Sequence, residues 1–136
     1  MLAITRTDLR KIYEHCDREY PNEACGILAG RDCTVEKVYS LANEKPGPAY
    51  YRIDSKEHFQ VLREMRETGR ESVGIYHSHP DAPAFPSSID VELAYYPEAG
   101  YVIVSLRDRK NPAIKGYSIV DGNITEVPLN IIAEAR

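Results

Sequence analysis

The sequence lacks the features that mark secreted, membrane-spanning and nucleic-acid-binding proteins. Its first residues, MLAITRTDLRK, contain no charged region followed by an apolar run, so we expect no secretory signal peptide. No stretch approaches the roughly 20 apolar residues that a membrane-spanning helix needs. Lysines and arginines are interleaved with acidic residues, and the formal net charge is -4. Both features argue against a nucleic-acid partner.

Cysteine is also scarce, because the chain carries only Cys16, Cys25 and Cys33. An odd number of cysteines without an export signal is typical of reduced thiols, so we expect a cytoplasmic protein. No CxxC pair is present, which argues against a zinc site built from cysteines. The H-x-E and P-C-x-x-C patterns of zinc deaminases are absent as well.

What is present suits one globular domain. The chain has 136 residues, of which 43% are apolar and 28% are charged. A domain of this length buries enough surface to fold without a disulfide or a structural metal. Because the chain shows no linker, repeat or low-complexity tract, we expect a single domain over residues 1–136.

Capping residues and apolar spacing predict three helices. They span residues 7–20, 55–68 and 88 to about 95. Thr7 and Ser55 are the predicted caps of the first two helices, and Gly69 is expected to end the second. The predicted buried face of the second helix consists of Phe59, Leu62 and Met65.

Apolar runs and apolar–polar alternation predict strands in the rest of the chain. They span residues 25–30, 34–41, 72–78, 101–106, 114–120 and 123–127. Turns are expected at 30–32 and Asp121-Gly122, loops at 43–51 and 80–86, and a terminal helical turn at 130–136. This order of elements predicts an α/β or α+β fold, in which a central mixed sheet is flanked by helices.

The chemically informative segment is Tyr76-His77-Ser78-His79-Pro80. Alternate residues of a strand point to the same face, so His77 and His79 present their imidazoles side by side, about 7 Å apart along the backbone. That geometry lets both rings converge on one metal ion. A solvated pair of histidines at the rim of a sheet explains the same two residues without a metal, so the pair alone does not decide.

A third candidate ligand, Asp90, follows in Ser87-Ser88-Ile89-Asp90. If the proline-rich loop folds back, a carboxylate in the first turn of the next helix faces the imidazoles. Two histidines and one carboxylate are a ligand set typical of catalytic zinc, which leaves the fourth position for water. The same Ser87-x-x-Asp90 spacing also fits a helix capping box, and the two interpretations are compatible.

A metal site of this kind predicts hydrolytic chemistry. Zinc with an open position lowers the pKa of its water toward 7 and polarises a bound carbonyl. Hydrolysis further requires a general base and a donor aimed at the oxyanion. Glu23, in a short loop before a buried strand, is the candidate base, although an ordinary solvated glutamate fits that position too. Ser87 is the candidate oxyanion donor, so the pattern predicts a zinc hydrolase acting on an amide-type bond.

These residues resemble the motif of the JAMM (MPN+) metalloprotease family. That motif consists of an upstream Glu, then His-x-His, seven residues, Ser, two residues and Asp. Here His77-Ser78-His79 is followed by the seven residues 80–86, then Ser87, two residues and Asp90. Glu23 lies upstream in PNEACGILAG, which resembles the segment around the family's catalytic glutamate. The likeness extends over nearly the whole chain.

The resemblance implies a fold, a cofactor and a role for each residue. The fold would be the cytidine-deaminase-like JAMM/MPN architecture, a curved mixed sheet flanked by helices. One Zn2+ per chain would be bound by His77, His79 and Asp90. Glu23 would be the general acid/base, and Ser87 would stabilise the tetrahedral intermediate.

The short chain resembles the compact prokaryotic branch of this family, since it has no room for the long insertions by which eukaryotic members grip ubiquitin. Proteins of that branch act on small ubiquitin-like or sulfur-carrier proteins that end in Gly-Gly. Some release cysteine from the carrier's C-terminus, and others remove archaeal modifiers from lysines. The implied reaction is hydrolysis of the amide bond after a glycine tail. Such a tail can thread a narrow groove, for which segments 43–51 and 80–86 are candidate walls.

Two other interpretations stay open. Cys25, in Glu23-Ala24-Cys25-Gly26, could be a nucleophile close to His77, although a thiol that opens an apolar strand is expected to be buried and inert. Alternatively, the chain could be a catalytically silent protein-binding scaffold. In a scaffold, however, an intact set of ligands and a base would have no use.

Overall fold

The structure is a computed structural model that describes residues 1–44, 46–48 and 51–134. The strands in these residues are β1 (Leu2–Thr5), β2 (Cys25–Arg31), β3 (Thr34–Leu41), β4 (Glu71–His79), β5 (Gly100–Ser105), β6 (Ala113–Val120), β7 (Asn123–Val127) and β8 (Leu129–Ile132). The helices are α1 (Arg6–Glu19), α2 (Ser55–Thr68) and α3 (Ser88–Glu92). In the described part of the chain, none of these helices is long and apolar enough to cross a membrane.

The strands form one mixed sheet in the order β7-β6-β5-β4-β2-β3-β1-β8. Strand β4 lies inside the sheet, between β2, which is antiparallel to it, and β5, which is parallel to it. Parallel pairing also joins β1 to β3 and β8. The predicted single-domain α+β fold with a mixed sheet flanked by helices is confirmed. Because β4 carries the two histidines of the motif, the candidate site lies well inside the sheet.

Helices cover both faces of the sheet, because alternate side chains of a strand point in opposite directions. On one face, Tyr76 of β4 belongs to a core cluster with Ile12 of α1. On the other face, Ile75 of β4 belongs to a cluster against which Val91 of α3 packs. Beyond the irregularity in the β2–β4 pairing at Val73, residues 75, 77 and 79 of β4 therefore face the side of α3, and residues 76 and 78 face the side of α1.

The caps of the first two helices differ from the prediction. Thr5, not Thr7, caps α1, since its hydroxyl accepts a hydrogen bond from the N–H of Asp8 at 3.1 Å. Asp54, not Ser55, caps α2, and its carboxylate accepts a first-turn N–H at 3.1 Å. The N-cap is the residue with extended backbone dihedrals just before the helix. When two nearby residues both have side chains that can cap, the sequence alone does not show which of them is the N-cap. The predicted end of α2 at Gly69, in the left-handed conformation, is confirmed.

The buried face of α2 was only partly predicted. Met65 is buried as expected, but Phe59 is 68% exposed and Leu62 is 44% exposed. Val61 is the second buried residue, and it belongs with Met65 to a cluster that contains residues of β2 and β3. Apolar residues at 59, 61, 62 and 65 fit two neighbouring faces of one helix, and the packing partner decides which face is buried. The other face is left lining a groove beside the sheet.

The two strands at the chain ends were not predicted. Residues 129–132 form β8, which pairs in parallel with β1, so the predicted helical turn at 130–136 is wrong for the described residues. Residues 135 and 136 lie outside them. Both strands have four residues, which is too short for a periodic pattern, and their pairing joins the two ends of the chain.

The predicted turns and the proline-rich loop are largely confirmed. Asp121 and Gly122 have positive φ values of 50° and 79°, as the expected type I′ turn requires. The first hairpin turns at Asp32 and Cys33, also with positive φ, rather than at 30–32. Segment 80–86 has no helix or strand, as expected.

Candidate metal centre

The two histidines of β4 lie side by side in the interior of the protein. His77 is 1% exposed and His79 is 3% exposed. The Nε2 atoms of their imidazoles are 3.1 Å apart. The prediction that strand alternation makes the two rings converge is confirmed, and the alternative of a solvated pair at the sheet rim is wrong.

Asp90 is brought to the two histidines by the short helix α3. Its Oδ2 atom lies 2.9 Å from Nε2 of His79 and 3.1 Å from Nε2 of His77. Segment 80–86 turns back from the end of β4, so that α3 begins next to that strand. As the sequence predicted, the three side chains form one group in which each offers a ligand atom to the same point.

A capping box at α3 fixes the direction of the Asp90 carboxylate. The Oγ atom of Ser87 accepts a hydrogen bond from the N–H of Asp90 at 3.1 Å, and Oδ2 of Asp90 accepts one from the N–H of Ser87 at 2.9 Å. The capping and ligand interpretations of this motif therefore hold together. Ser87 is exposed, and its Oγ acts only as an acceptor in the cap, so its hydroxyl hydrogen remains available.

The ring of His79 is oriented by a backbone carbonyl. Its Nδ1 atom lies 2.9 Å from the oxygen of Pro83, so Nδ1 carries the hydrogen that this carbonyl accepts. In the neutral ring, Nε2 then carries the lone pair that a metal ligand needs; in the protonated ring, Nε2 donates a hydrogen bond to Oδ2 of Asp90 at 2.9 Å. Ligating histidines are commonly held in this way, through the nitrogen that does not bind the metal.

The protonation of the cluster follows from burial and from the contacts among its members. Burial acts to raise the pKa of Asp90, but the hydrogen bonds with His77 and His79 outweigh it and hold that pKa well below its usual range. Burial lowers the pKa of His77. It acts on His79 in the same direction, but the contacts with Asp90 and Pro83 raise the pKa of His79 above its ordinary value. An ionised carboxylate so deeply placed favours a positive charge beside it.

The donor set fits zinc. Two imidazole nitrogens and one carboxylate oxygen are ligands of catalytic zinc sites, where three protein ligands leave one position open. Zinc bonds of about 2.0–2.1 Å in a tetrahedron place the donor atoms roughly 3.3 Å apart. The observed separations of 2.9–3.1 Å are slightly shorter. The zinc cofactor predicted from the sequence agrees with this donor set.

Glu23, the candidate base, is placed beside the cluster by the pairing of β2 with β4. Cys25, the first residue of β2, is directly opposite His77, so the residues before Cys25 run alongside the end of β4. Glu23 is 3% exposed, and its Oε1 atom has no hydrogen-bond partner among the described residues. The interpretation of Glu23 as a solvated loop residue is therefore wrong.

The environment of Glu23 changes its acidity. Burial raises the pKa of this carboxyl to about 8; His79 opposes the rise, and the negative charge of Asp90 adds to it. A cation bound by the neighbouring ligands would favour the carboxylate form. A carboxyl in this range can both take up and return a proton near neutral pH.

Two residues beside the ligands carried no recognised signal in the sequence. Tyr51 stacks on His77, with ring centroids 4.6 Å apart and planes 20° from parallel, yet it lies in a segment predicted only as loop. Ser78 accepts a hydrogen bond from the N–H of Ala24 at 2.8 Å. Alternation along β4 places Ser78 on the face opposite the histidines, but its partner belongs to a distant part of the chain.

A groove of about 650 Å3 opens beside Tyr51. Its floor includes Ile75, which precedes His77 by two residues on the same face of β4, so the groove leads toward the ligands. Leu62 of α2 lines one side of the groove. Residues between 93 and 99, in the segment that joins α3 to β5, line it as well.

Only one of the two predicted groove walls borders this groove. Residues 51–53 line it, while positions 45, 49 and 50 of the predicted wall 43–51 lie outside the described residues. Pro83, Ala84 and Phe85 of segment 80–86 instead border a second cavity, of about 390 Å3. The two segments therefore share no common groove in the described part of the chain.

Cys25 is unsuited to the role of a nucleophile. It is fully buried, and its Sγ atom lies 3.7 Å from the carbonyl oxygen of Ala42. Burial, with the negative charges of nearby carboxylates, raises the pKa of Cys25 to about 12. Because the thiolate is the reactive form, Cys25 is inert at neutral pH, as expected for a thiol that opens an apolar strand.

Sequence comparison places this geometry among known proteins. The family described as prokaryotic homologs of the JAB domain matches residues 5–119. The CysO-cysteine peptidase of Mycobacterium tuberculosis is 40% identical over 136 residues, which cover 98% of this chain and 93% of that protein. A desampylase of Haloferax volcanii is 36% identical over 88 residues, which cover 62% of this chain and 63% of that protein.

Structure comparison gives the same result. The solution structure of protein DSY2949 from Desulfitobacterium hafniense superposes with a TM-score of 0.90 at 33% identity, and the match covers 98% of this chain and 94% of that one. The similarity thus includes strand β4, which carries His77 and His79, and helix α3, which carries Asp90.

Proposed function

This chain belongs to the family of prokaryotic homologs of the JAB domain, and we propose that it is a zinc peptidase that cleaves the amide bond after the C-terminal Gly-Gly of a ubiquitin-like or sulfur-carrier protein. The observation that carries the proposal is the convergence of His77, His79 and Asp90 next to a buried Glu23. In this proposal the first three residues hold one Zn2+, Glu23 is the general acid/base, and Ser87 is the oxyanion donor.

Zinc, when bound, supplies a water of lowered pKa and polarises the scissile carbonyl. Glu23 accepts a proton from the water while the oxygen of that water attacks the carbonyl carbon. When the carbon–nitrogen bond breaks, Glu23 returns that proton to the leaving amine. A cation held by the neighbouring ligands favours the carboxylate form of Glu23, which is the form that accepts the proton.

Ser87 stabilises the charge that develops on the carbonyl oxygen. Its Oγ atom is held by the N–H of Asp90, which fixes the hydroxyl at the start of α3. The free hydroxyl hydrogen can then be donated to the oxyanion. This arrangement makes the cap of α3 part of the catalytic machinery as well as a stabiliser of the helix.

The groove beside Tyr51 is the proposed path of the carrier's tail. An extended tail lying over Ile75 reaches His77 after two residues of the same strand, since strand residues on one face are about 7 Å apart. Tyr51 both lines the groove and stacks on His77, so a tail that follows the groove to the ligands passes the Tyr51 ring. In this proposal the ring selects glycine, which has no side chain to collide with it.

The alternative of a catalytically silent scaffold gains no support from the site. A scaffold has no need of a buried carboxyl whose Oε1 atom has no partner among the described residues, because burying such a group is destabilising. The described residues therefore favour an enzyme.

The experiment uses two forms of a small carrier protein that ends in Gly-Gly. One form carries a single additional cysteine, and the other is joined through its terminal glycine to a lysine side chain of a peptide. Each is incubated with the zinc-loaded protein, with and without a chelator, and the products are identified by mass spectrometry. Cleavage after the second glycine that stops with the chelator supports the proposal.

The pattern of products also selects between two leaving groups. Relatives named as a CysO-cysteine peptidase and a desampylase make both worth testing. The match to the former covers nearly the whole chain, so we expect faster cleavage of the cysteine form. Zinc bound at one ion per chain without cleavage of either form would instead establish the scaffold.

A further inference from the structure

Ser78 separates the two histidine ligands in sequence but faces the other side of the sheet. Its side chain is fully buried, among the residues between the sheet and α1. The Oγ atom accepts a hydrogen bond from the N–H of Ala24 at 2.8 Å. One small side chain thus joins the ligand strand to the loop before β2.

The backbone of Ser78 makes a second contact with the same residue. Its N–H donates to the carbonyl oxygen of Ala24 at 3.1 Å. Ala24 is therefore held at both its N–H and its carbonyl by a single residue of β4. These bonds extend the contact between β2 and β4 one residue beyond the Cys25–His77 pair.

Ala24 directly follows Glu23, so these bonds fix the peptide unit that joins the two residues. Among the described residues, the other hydrogen bonds of Glu23 are made by its backbone: its N–H donates to the carbonyl oxygen of Gly47, and its carbonyl accepts from the side chain of Asn43. Its Oε1 atom has no partner in the described residues. The position of the carboxyl thus depends on how firmly the loop backbone is held.

We propose that Ser78 is a positioning residue for Glu23, which locks the loop of the general base to the strand that carries the metal ligands. This role deepens the proposed function and rests on it. Strand β4 carries the ligands His77 and His79. Through Ser78, which lies between them, the same strand also fixes the distance from the ligands to Glu23. Without the hydroxyl, the Ala24 N–H is buried without a partner, and the loop must move to satisfy it.

The test compares Ser78→Ala with Ser78→Thr, which keeps the hydroxyl. We expect Ser78→Ala to lower kcat about 10- to 100-fold, because a base displaced by an ångström loses most of its effect. KM and the stoichiometry of one zinc per chain should stay unchanged, and Ser78→Thr should recover most of kcat. Val104→Ala is the matched control, since Val104 is fully buried opposite Ser78 on β5. It should lower stability with kcat unchanged.

Amide hydrogen exchange in the zinc-free protein gives a second measurement that needs no substrate. In Ser78→Ala, the Ala24 amide should exchange much faster than in the wild type, while the amides in the middle of β4 keep their protection. Val104→Ala should not single out Ala24. If Ser78→Ala is poorly folded, Ser78→Cys replaces it, because it fills the same space with a weak acceptor.

The outcomes separate this inference from the proposed function. An unchanged kcat in Ser78→Ala, or a loss of kcat matched by loss of zinc, overturns the positioning role. Wild-type protein that cleaves no carrier overturns the proposed function instead. In that case faster exchange at Ala24 still supports the structural part of the inference, and unchanged exchange refutes it.

Discussion

At the scale of single residues, Glu23 combines near-complete burial with a carboxyl oxygen that has no partner among the described residues. A carboxyl that is almost completely buried normally has hydrogen-bond partners, because an unpaired charge in the interior is strongly unfavourable. Glu23 has negatively charged Asp90 nearby and an Oε1 atom without a partner in the described residues. Its environment suits a group that exchanges protons with a substrate better than one that stabilises the fold.

Replacing Glu23 by glutamine tests the catalytic role directly. Glu23→Gln keeps the shape of the side chain but cannot accept a proton, so kcat should fall by about 10²- to 10⁴-fold. Zinc should still bind, because Glu23 is not among the three ligands. The measurements are carrier cleavage and metal content of the purified variant. Glu126→Gln, on the exposed face of β7, is the control and should have normal activity. A near-normal rate for Glu23→Gln would show that the base is another group.

The same substitution makes a prediction about stability in the zinc-free protein. Burial raises the pKa of Glu23 from 4.5 to about 8, so the native state holds a proton that the unfolded chain releases above pH 4.5. The wild type should therefore lose stability relative to Glu23→Gln as the pH rises from 4.5 to 8, by on the order of 4 kcal/mol.

Urea unfolding at pH 4.5 and at pH 8.5 measures this difference. The variant and the wild type should be closest in stability at the lower pH, and the variant should be clearly more stable at the higher pH. A difference independent of pH would mean that Glu23 titrates normally in the folded protein.

The ligands could be predicted from the sequence at this scale, because two local rules place them. Strand alternation puts His77 and His79 on one face, and the capping box aims Asp90 from the start of a helix. Ser78 and Tyr51 could not be assigned in this way. The partner of Ser78 lies 54 residues away in sequence, and Tyr51 has no periodic neighbours that would indicate its direction.

At the scale of secondary structure, the groove between α2 and residues 93–99 depends on which face of α2 is buried. Val61 and Met65 pack against the sheet, which leaves Leu62 to line the groove. The sequence predicted a helix here correctly, but not its rotation about its axis. That rotation is set by contact with the sheet, and apolar spacing does not define it uniquely.

Tyr51 provides the test of how this groove selects a tail. Wild-type enzyme should cleave a carrier ending in Gly-Gly much faster than one ending in Gly-Ala, since a methyl group meets the Tyr51 ring. Tyr51→Ala should reduce this preference by about 10-fold or more, the effect of one methyl group in a confined site. The ratio of kcat/KM for the two carriers is the measurement.

Tyr51→Phe is the matched control, because it keeps the ring that stacks on His77 and removes only the hydroxyl. It should retain the wild-type preference. If Tyr51→Ala discriminates between the two tails as strongly as the wild type, the selection of glycine lies elsewhere in the groove.

At the scale of the whole molecule, one edge of the sheet is formed by a strand pairing that local sequence patterns do not predict. Strands β1 and β8, at the two ends of the chain, pair with each other and complete the order of eight strands. The fold class follows from the alternation of helices and strands, whereas this terminal pairing does not. The cores on the two faces of the sheet consist of apolar side chains, and the metal cluster contributes to neither of them.

Removal of zinc tests whether the fold depends on the metal. Since the apolar clusters extend over both faces of the sheet, the zinc-free protein should keep its far-UV circular dichroism and a cooperative thermal transition. The three ligands converge on one point only in the folded chain, so zinc at 100 times Kd should add about 2.7 kcal/mol of stability and raise Tm by several degrees. Asp90→Ala, which lacks one ligand, should show a much smaller zinc-dependent rise and no carrier cleavage. A zinc-free wild type without a thermal transition would mean that the metal cluster is required for folding, contrary to what the distribution of the core indicates.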